Sequence, residues 1–379
     1  MVTGKKIFFV FSIDYMLISH RRRLVEAVVA AGNDVTVVAQ DTGYADTIRE
    51  MGCQFVELPI NRVGTNIREE LKTFRFLKKL YKKEKPDIIH HVSLKVTLWG
   101  GLAAKMVGAK CVVNAINGLG VFFSTGKADT LVKKVLLKFV GFAHRHRNMV
   151  TIFQNSSDKA LFVDSGAIRD DQCRYIKGSG VDLNDFAFTP EPEGEVLNVV
   201  FTSRMVKEKG VIDIVDAALM LKDKYAGKVR FLLCGLIETN PQAISEAYLN
   251  EVCDGEYLKY MGHCSNIRDI LRQSAIVLLP SYYREGVPKS VIEATAIGRP
   301  VITTDWVGCR ETVDDGVNGF LIPIKSPEKL AEKLSILLDD KQLRTRMGKA
   351  SREKAEREFS IDIVIEKHFA IYEELLKNS

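Results

Sequence analysis

Short apolar and β-branched runs recur along the chain, separated by longer segments whose apolar residues are spaced three or four apart. In the first half the short runs are Ile7–Phe11, Val35–Ala39, Phe55–Leu58, Ile88–His90, Cys111–Ala115 and Val150–Gln154. Helical spacing fills the intervals at about 19–31, 45–51, 66–84, 93–106, 128–147 and 156–165. Runs that are apolar throughout mark strands covered on both faces, and their alternation with helices predicts a doubly wound parallel sheet. Thr189–Glu195 interrupts this pattern with a polar, proline-rich stretch, and a second series of the same kind begins at Leu197–Thr202. Two α/β domains are therefore predicted, 1–188 and 189–360, followed by a last helix over 361–377.

The clearest strand–helix–strand unit runs from Ala275 to Asp305. Ile276–Leu279 is an apolar strand stopped by Pro280, and Ser281–Val287 forms a loop. Pro288 stands at the first turn of a helix, where its missing N–H costs nothing, and Gly298 and Pro300 end that helix before a strand at Val301–Thr304. Ligands of such folds bind where loops leave the carboxyl ends of the strands. Glu285 on the loop and Glu293 in the helix are eight residues apart, so both reach a ligand at the helix N-terminus. There the N–H groups around Lys289 and Ser290 favour a phosphate. Two carboxylates beside a phosphate suit a ligand rich in hydroxyls, such as a sugar or a ribose. A solvated loop glutamate and a helix-surface glutamate have the same spacing. Arg204 and Lys209, in the loop after Leu197–Thr202, are placed to neutralise a diphosphate, one by a guanidinium fork and one as a point charge.

Composition narrows the class. Of 379 residues, 46% are apolar and 27% charged, which is ordinary for a soluble globular protein, and the length suffices for two sizeable cores. No apolar run nears the ~20 residues that cross a bilayer. Lys5 and Lys6 before Ile7–Ile13 imitate a signal peptide, but the run breaks at Asp14. Seven scattered cysteines without a C-x-x-C argue for a reduced, cytoplasmic setting and against a structural zinc site. The lack of a G-x-G-x-x-G after the first strand argues against a nicotinamide-binding domain.

The net charge of +6 is unevenly distributed. Residues 1–189 carry 28 Lys and Arg against 18 Asp and Glu, while the remainder carries 26 against 30. A basic first half points to a polyanionic partner or an anionic membrane surface. Segments 66–84 and 128–147 are basic and amphipathic, suited to lie on anionic lipid or, equally, to pack on the sheet with basic outer faces.

Glu285–Ala294 resembles the E-x7-E segment of retaining GT-B glycosyltransferases of family 4, and Gly298–Ile302 continues the likeness. Arg204–Gly210 resembles the R-x4-K-G element of that family, and Lys177–Asp182 its G-x-G-V-D turn. Three further segments resemble the subgroup that builds capsular, O-antigen and lipid-linked oligosaccharides. They are Ser19-His20-Arg21, His91 with Lys95, and Asn117-Gly118-Leu119-Gly120. The chain departs from many relatives in having Ile13-Asp14 in place of a glycine pair and Asn117 near an expected histidine. The likeness spans nearly the whole chain and is strongest over 197–322.

This resemblance implies a GT-B fold, two Rossmann-like doubly wound domains facing across a cleft, with 361–379 returning to the first domain. The first domain would bind the acceptor and the second the nucleotide-sugar donor. Glu285 would touch the donor sugar, Glu293 the ribose, and Arg204 and Lys209 the diphosphate, so the expected catalytic set is Glu285, Arg204 and Lys209. Gly235 and Ile267 would flank the base, and Gly286, Val287, Pro288, Lys289 and Ser290 would complete the donor site. His20, His91, Lys95, Asn117 and Gly118 are expected on the acceptor or catalytic side.

The implied reaction moves a hexose or N-acetylhexosamine from a UDP-sugar to a polyprenyl-diphosphate-linked saccharide, with retention, at the inner face of a bacterial membrane. No two aspartates are separated by one residue, so the D-x-D metal clamp of the other major glycosyltransferase fold is missing. Transfer is therefore expected to need no metal and no cofactor, and no nucleic-acid partner is expected. The linker at 189–195 is the expected hinge. Competing readings are a transferase for soluble sugar acceptors, a UDP-sugar 2-epimerase and a catalytically silent binding subunit.

Overall fold

The structure, a computed structural model, describes residues 2–61, 66–119, 130–238 and 242–379. Gly120 of the glycine-containing segment and residues 128–129 of an expected helix lie outside that set. The chain divides into two compact units, Met1–Ser179 with Ile361–Ser379, and Gly180–Ser360.

The first unit is built on seven strands: β1 (Lys6–Ile13), β2 (Asp34–Gln40), β3 (Gln54–Glu57), β4 (Ile88–Val92), β5 (Cys111–Ile116), β6 (Met149–Phe153) and β7 (Cys173–Tyr175). They form one sheet of order β3-β2-β1-β4-β5-β6-β7, parallel at each pairing. The period-two alternation of β1 explains its apolar run. Ile7, Phe9 and Phe11 pack on one face with Leu24, Val25 and the returning helix residues Val364 and Tyr372. Phe8 and Val10 pack on the other with Leu77, Tyr81 and Val96. Each such fully buried side chain contributes roughly 1.5–3 kcal/mol of transfer free energy. Leu77 and Tyr81, with Phe74 and Leu80 beside them, come from the helix Ile67–Glu84, so its apolar stripe is taken up by the core. For that helix the packing alternative holds.

The second unit contains β8 (Leu197–Thr202), β9 (Val229–Cys234), β10 (Leu258–Gly262), β11 (Ile276–Leu279), β12 (Val301–Thr304) and β13 (Gly319–Ile322). Their order is β10-β9-β8-β11-β12-β13, again parallel. The order reverses between β1 and β4 in one sheet and between β8 and β11 in the other, the places where such sheets bind ligands. The expected helix 19–31 is divided at Arg21 into Tyr15–His20 and Arg22–Ala30, and Lys341–Lys354 ends in a π-helical turn, Ala355–Phe359. β7, β13 and the helix Glu246–Val252 add to the predicted set; β7 is three residues long with one buried, too little apolar pattern to read.

Residues 180–188, placed in the first domain by the proline-rich stretch, pack instead with the second unit. Arg299 is 1% exposed and donates to the carbonyls of Thr189 (2.7 Å), Pro190 (3.3 Å), Leu271 (2.9 Å) and Arg272 (2.8 Å). Arg344 pairs with both carboxylate oxygens of Glu191, at 2.9 and 2.8 Å. The first three residues of the expected hinge are thus anchored. A Cβ on Gly298 would stand 2.5 Å from the Phe188 ring, at a φ of +88°, so only glycine fits beneath this segment.

Candidate active site

In the second unit the loops leaving β8, β9 and β11 converge. Lys209 is buried, and its Nζ lies 2.5 Å from Glu285 Oε1, which also accepts from Ser281 Oγ at 3.1 Å. The backbone holds this pair in place: the N–H groups of Tyr282 and Tyr283 donate to the Glu208 carbonyl at 2.8 and 3.0 Å. Gly210 permits the contact, because a Cβ there would fall 2.2 Å from the Pro280 carbonyl oxygen. Arg204 Nη1 donates to both oxygens of Glu238, each at 3.0 Å. The Tyr283 ring lies 5.7 Å from the Arg204 guanidinium and 5.4 Å from Lys209 Nζ.

The helix Lys289–Ile297 brings its positive end to the same edge, with Pro288 before it. Lys289 Nζ lies 3.4 Å from Glu293 Oε1. Burial raises the pKa of Glu293, and the Lys289 charge opposes part of that rise. Ser290, in the first turn, is half-buried. Gly286 carries its carbonyl against Gly308, while Val287 is buried with Val181, Ile292 and Phe359. Gly235 is demanded by packing, since a Cβ would meet the Ser203 carbonyl oxygen at 1.7 Å. Ile267 opens the helix Ile267–Arg272 and packs partly on the core. The sequence-predicted donor residues therefore all fall in the second unit. Glu238 was missed; its tie to Arg204 depends on the pairing of β8 with β9, which spacing along the chain does not reveal.

The first-unit candidates are dispersed. His20 is exposed at the end of its helix, 2.5 Å from Ser19 Oγ. His91 is fully buried, its Nε2 at 3.0 Å from Tyr81 Oη and its Nδ1 at 2.8 Å from Asn114 Oδ1. Burial, with the His144 charge assisting, pulls its pKa down to about 4 although Asn114 opposes this, so the ring is a neutral core group. This corrects its assignment to the acceptor side. Lys95 is engaged by Glu70 Oε1 and the Asn61 carbonyl, both at 2.5 Å. Asn117 is different. Its Oδ1 accepts from Arg21 Nη2 and Gln154 Nε2, each at 3.1 Å, just beyond the carboxyl ends of β5 and β6, and Gly118 follows at a φ of +96°. Arg21 and Gln154 were missed as partners. Asp14 accepts from the N–H groups of Tyr15, Thr42 and Tyr44 at 2.7–2.9 Å and so ties the β1 loop to the β2 loop.

Two parallel Rossmann-like sheets of this strand order are the two halves of the GT-B architecture. Two family models match, Glycosyl transferases group 1 over residues 184–354 and Glycosyl transferase 4-like over residues 6–155, and the chain belongs to this glycosyltransferase family. A Campylobacter jejuni relative, N,N'-diacetylbacillosaminyl-diphospho-undecaprenol alpha-1,3-N-acetylgalactosaminyltransferase, is 29% identical over 94% of this chain and 96% of its own. An Escherichia coli relative, UDP-Gal:alpha-D-GlcNAc-diphosphoundecaprenol alpha-1,3-galactosyltransferase, is 25% identical over 91% and 90%. Among solved structures, Anabaena HepE in complex with UDP has the same fold, with a TM-score of 0.76 at 17% identity, covering 99% of this chain and 100% of that one.

Proposed function

We propose that this hexosyltransferase moves a hexose or N-acetylhexosamine from a UDP-sugar to a saccharide carried on polyprenyl diphosphate, in cell-surface polysaccharide or glycan assembly. The observation that carries the reading is likeness over nine-tenths of the chain to two transferases whose acceptors are diphospho-undecaprenol sugars. The donor diphosphate is assigned to Arg204, Lys209 and the N-terminus of Lys289–Ile297, which stabilise the charge that develops as the anomeric bond breaks. Glu285 takes the donor sugar and Glu293 the ribose. The leaving phosphate accepts the acceptor proton, so no dedicated base is required; the three cationic groups stand in for a metal, and the likeness to retaining enzymes implies that configuration is kept. Asn117, with Arg21 and Gln154, is the acceptor-side cluster.

The acceptor places the enzyme at a membrane surface. Among the described residues no helix is long and apolar enough to cross one. The helix Thr130–His144 supports a peripheral contact instead: Val135 and Phe142 are 59% and 51% exposed, Met106 nearby is 55% exposed, and Lys134, Lys138 and Arg145 line the same shallow groove. Lys105 Nζ lies 3.8 Å from the Phe142 ring centre and donates to its carbonyl at 2.7 Å.

The test is UDP release from a panel of UDP-hexoses, with and without a polyprenyl-diphosphate saccharide, in EDTA. Release that depends on the lipid-linked acceptor, survives EDTA and is lost in Glu285→Ala is the expected result. Release with soluble sugar acceptors alone would overturn the acceptor assignment, and loss in EDTA would overturn the metal-free step.

A further inference from the structure

The cations expected to hold the donor diphosphate each have a carboxylate beside them. Arg204 faces Glu238 at 3.0 Å, Lys209 faces Glu285 at 2.5 Å, and Lys289 faces Glu293 at 3.4 Å. Three positive charges matched by three negative ones leave these pairs electrically neutral, whereas a nucleoside diphosphate arrives with two or more negative charges. Glu285 and Glu293 have hydroxyls to accept from once the diphosphate takes their lysines. Glu238 has no such assignment.

We propose that Glu238 is the counter-ion that the donor diphosphate displaces from Arg204, so that it weakens the hold on nucleoside diphosphate and speeds its release. The inference rests on the donor-site reading above. Four observations carry it. Glu238 is placed deliberately, because the loops after β8 and β9 are joined by backbone bonds from Ser203 N–H to the Cys234 carbonyl (3.0 Å) and from Met205 N–H to the Leu236 carbonyl (2.8 Å). The grip is of the exchangeable kind: one guanidinium nitrogen serves both carboxylate oxygens, rather than two nitrogens in the parallel fork that makes the tightest pairs. Both side chains are also partly open to water, at 41% and 34% exposure, where an ion pair adds little to stability and little is lost when it opens. Finally, Tyr283 lies against both Arg204 and Lys209, so the guanidinium keeps a support after its carboxylate leaves.

The diphosphate must open the Glu238 pair before Arg204 can turn to it, and for a pair this open to water that competition weakens binding about two- to fivefold. Calorimetric titration of the full chain with UDP tests this. Glu238→Gln is expected to lower the Kd by that factor, and Glu238→Asp, which keeps the charge, to stay near wild type. Arg204→Met is expected to raise the Kd, and in that background Glu238→Gln should bring no gain, because the pair it relieves no longer exists. A Glu238→Gln protein that binds UDP as wild type does, or more weakly, overturns the proposal while leaving the donor site standing. Wild-type protein that fails to bind UDP, or an Arg204→Met that binds unchanged, overturns the donor-site reading and the proposal with it.

Discussion

Lys209 carries a charge that water scarcely reaches; its side chain is 8% exposed and that of its partner Glu285 12%. Removing one member of such a pair leaves the other buried and uncompensated. Lys209→Met is therefore expected to cost about 3 kcal/mol of stability and to reduce turnover about 10²- to 10³-fold, read by denaturant melts beside steady-state rates. Unchanged turnover would remove Lys209 from the chemistry. The unit that carries Glu285 and Glu293 was legible because it is local, a strand, a loop and a helix that follow one another in the chain. Glu238 was not, because 34 residues and a strand pairing separate it from Arg204. His91 misled for a third reason. Its neighbour His90 bonds Tyr372 of the returning helix at 2.7 Å, while His91 points to the opposite face, and the pleat that decides this is invisible in a dipeptide of two histidines.

The elements followed the apolar runs closely, since strands covered on both faces leave an unbroken signature in the sequence. What the pattern missed was where a connecting segment belongs. A proline-rich stretch reads as a free linker, yet Arg299, 110 residues from Thr189, binds its carbonyls from a fully buried position. Nothing at the linker itself announces that anchor. Arg299→Ala would strip donors from four carbonyls and leave a cavity. The expected result is a loss of about 3–5 kcal/mol and new proteolytic cleavage within 183–195, monitored by limited digestion of the native protein. A digestion pattern identical to wild type would show that Phe188 and Glu191 hold the segment without it.

Across the whole molecule the buried histidines are unevenly shared. His91 and His144 are held down to about 4 and His368 to about 3, each chiefly by burial, and all three lie in the first unit. Because their folded pKa values are below the ordinary 6.5, the unfolded chain binds protons that the folded one refuses. The stability these neutral rings confer is complete above about pH 6.5 and falls as pH drops from there toward 4, by about 1.4 kcal/mol per pH unit for each ring. Melting temperature should decline over that window, with hydrogen exchange accelerating first in β4 and β5. A flat profile between pH 7.5 and 5, or earlier loosening of β8–β12, would contradict this.

The helix Ile361–Lys377 lays Val364, Phe369, Tyr372 and Leu375 into the same core as Phe9 and Val25. On the ribosome, β1 to β7 emerge long before that helix is made, and the sheet face carrying Phe9, Phe11 and His90 waits only partly covered, by Leu24, Val25 and Val28 of the helix Arg22–Ala30, while the second unit is synthesised and folds. The half made first is completed last. A chaperone that shields apolar surface on nascent chains therefore has a long interval in which to act on this protein, and translation speed through Gly180–Ser360 sets its length.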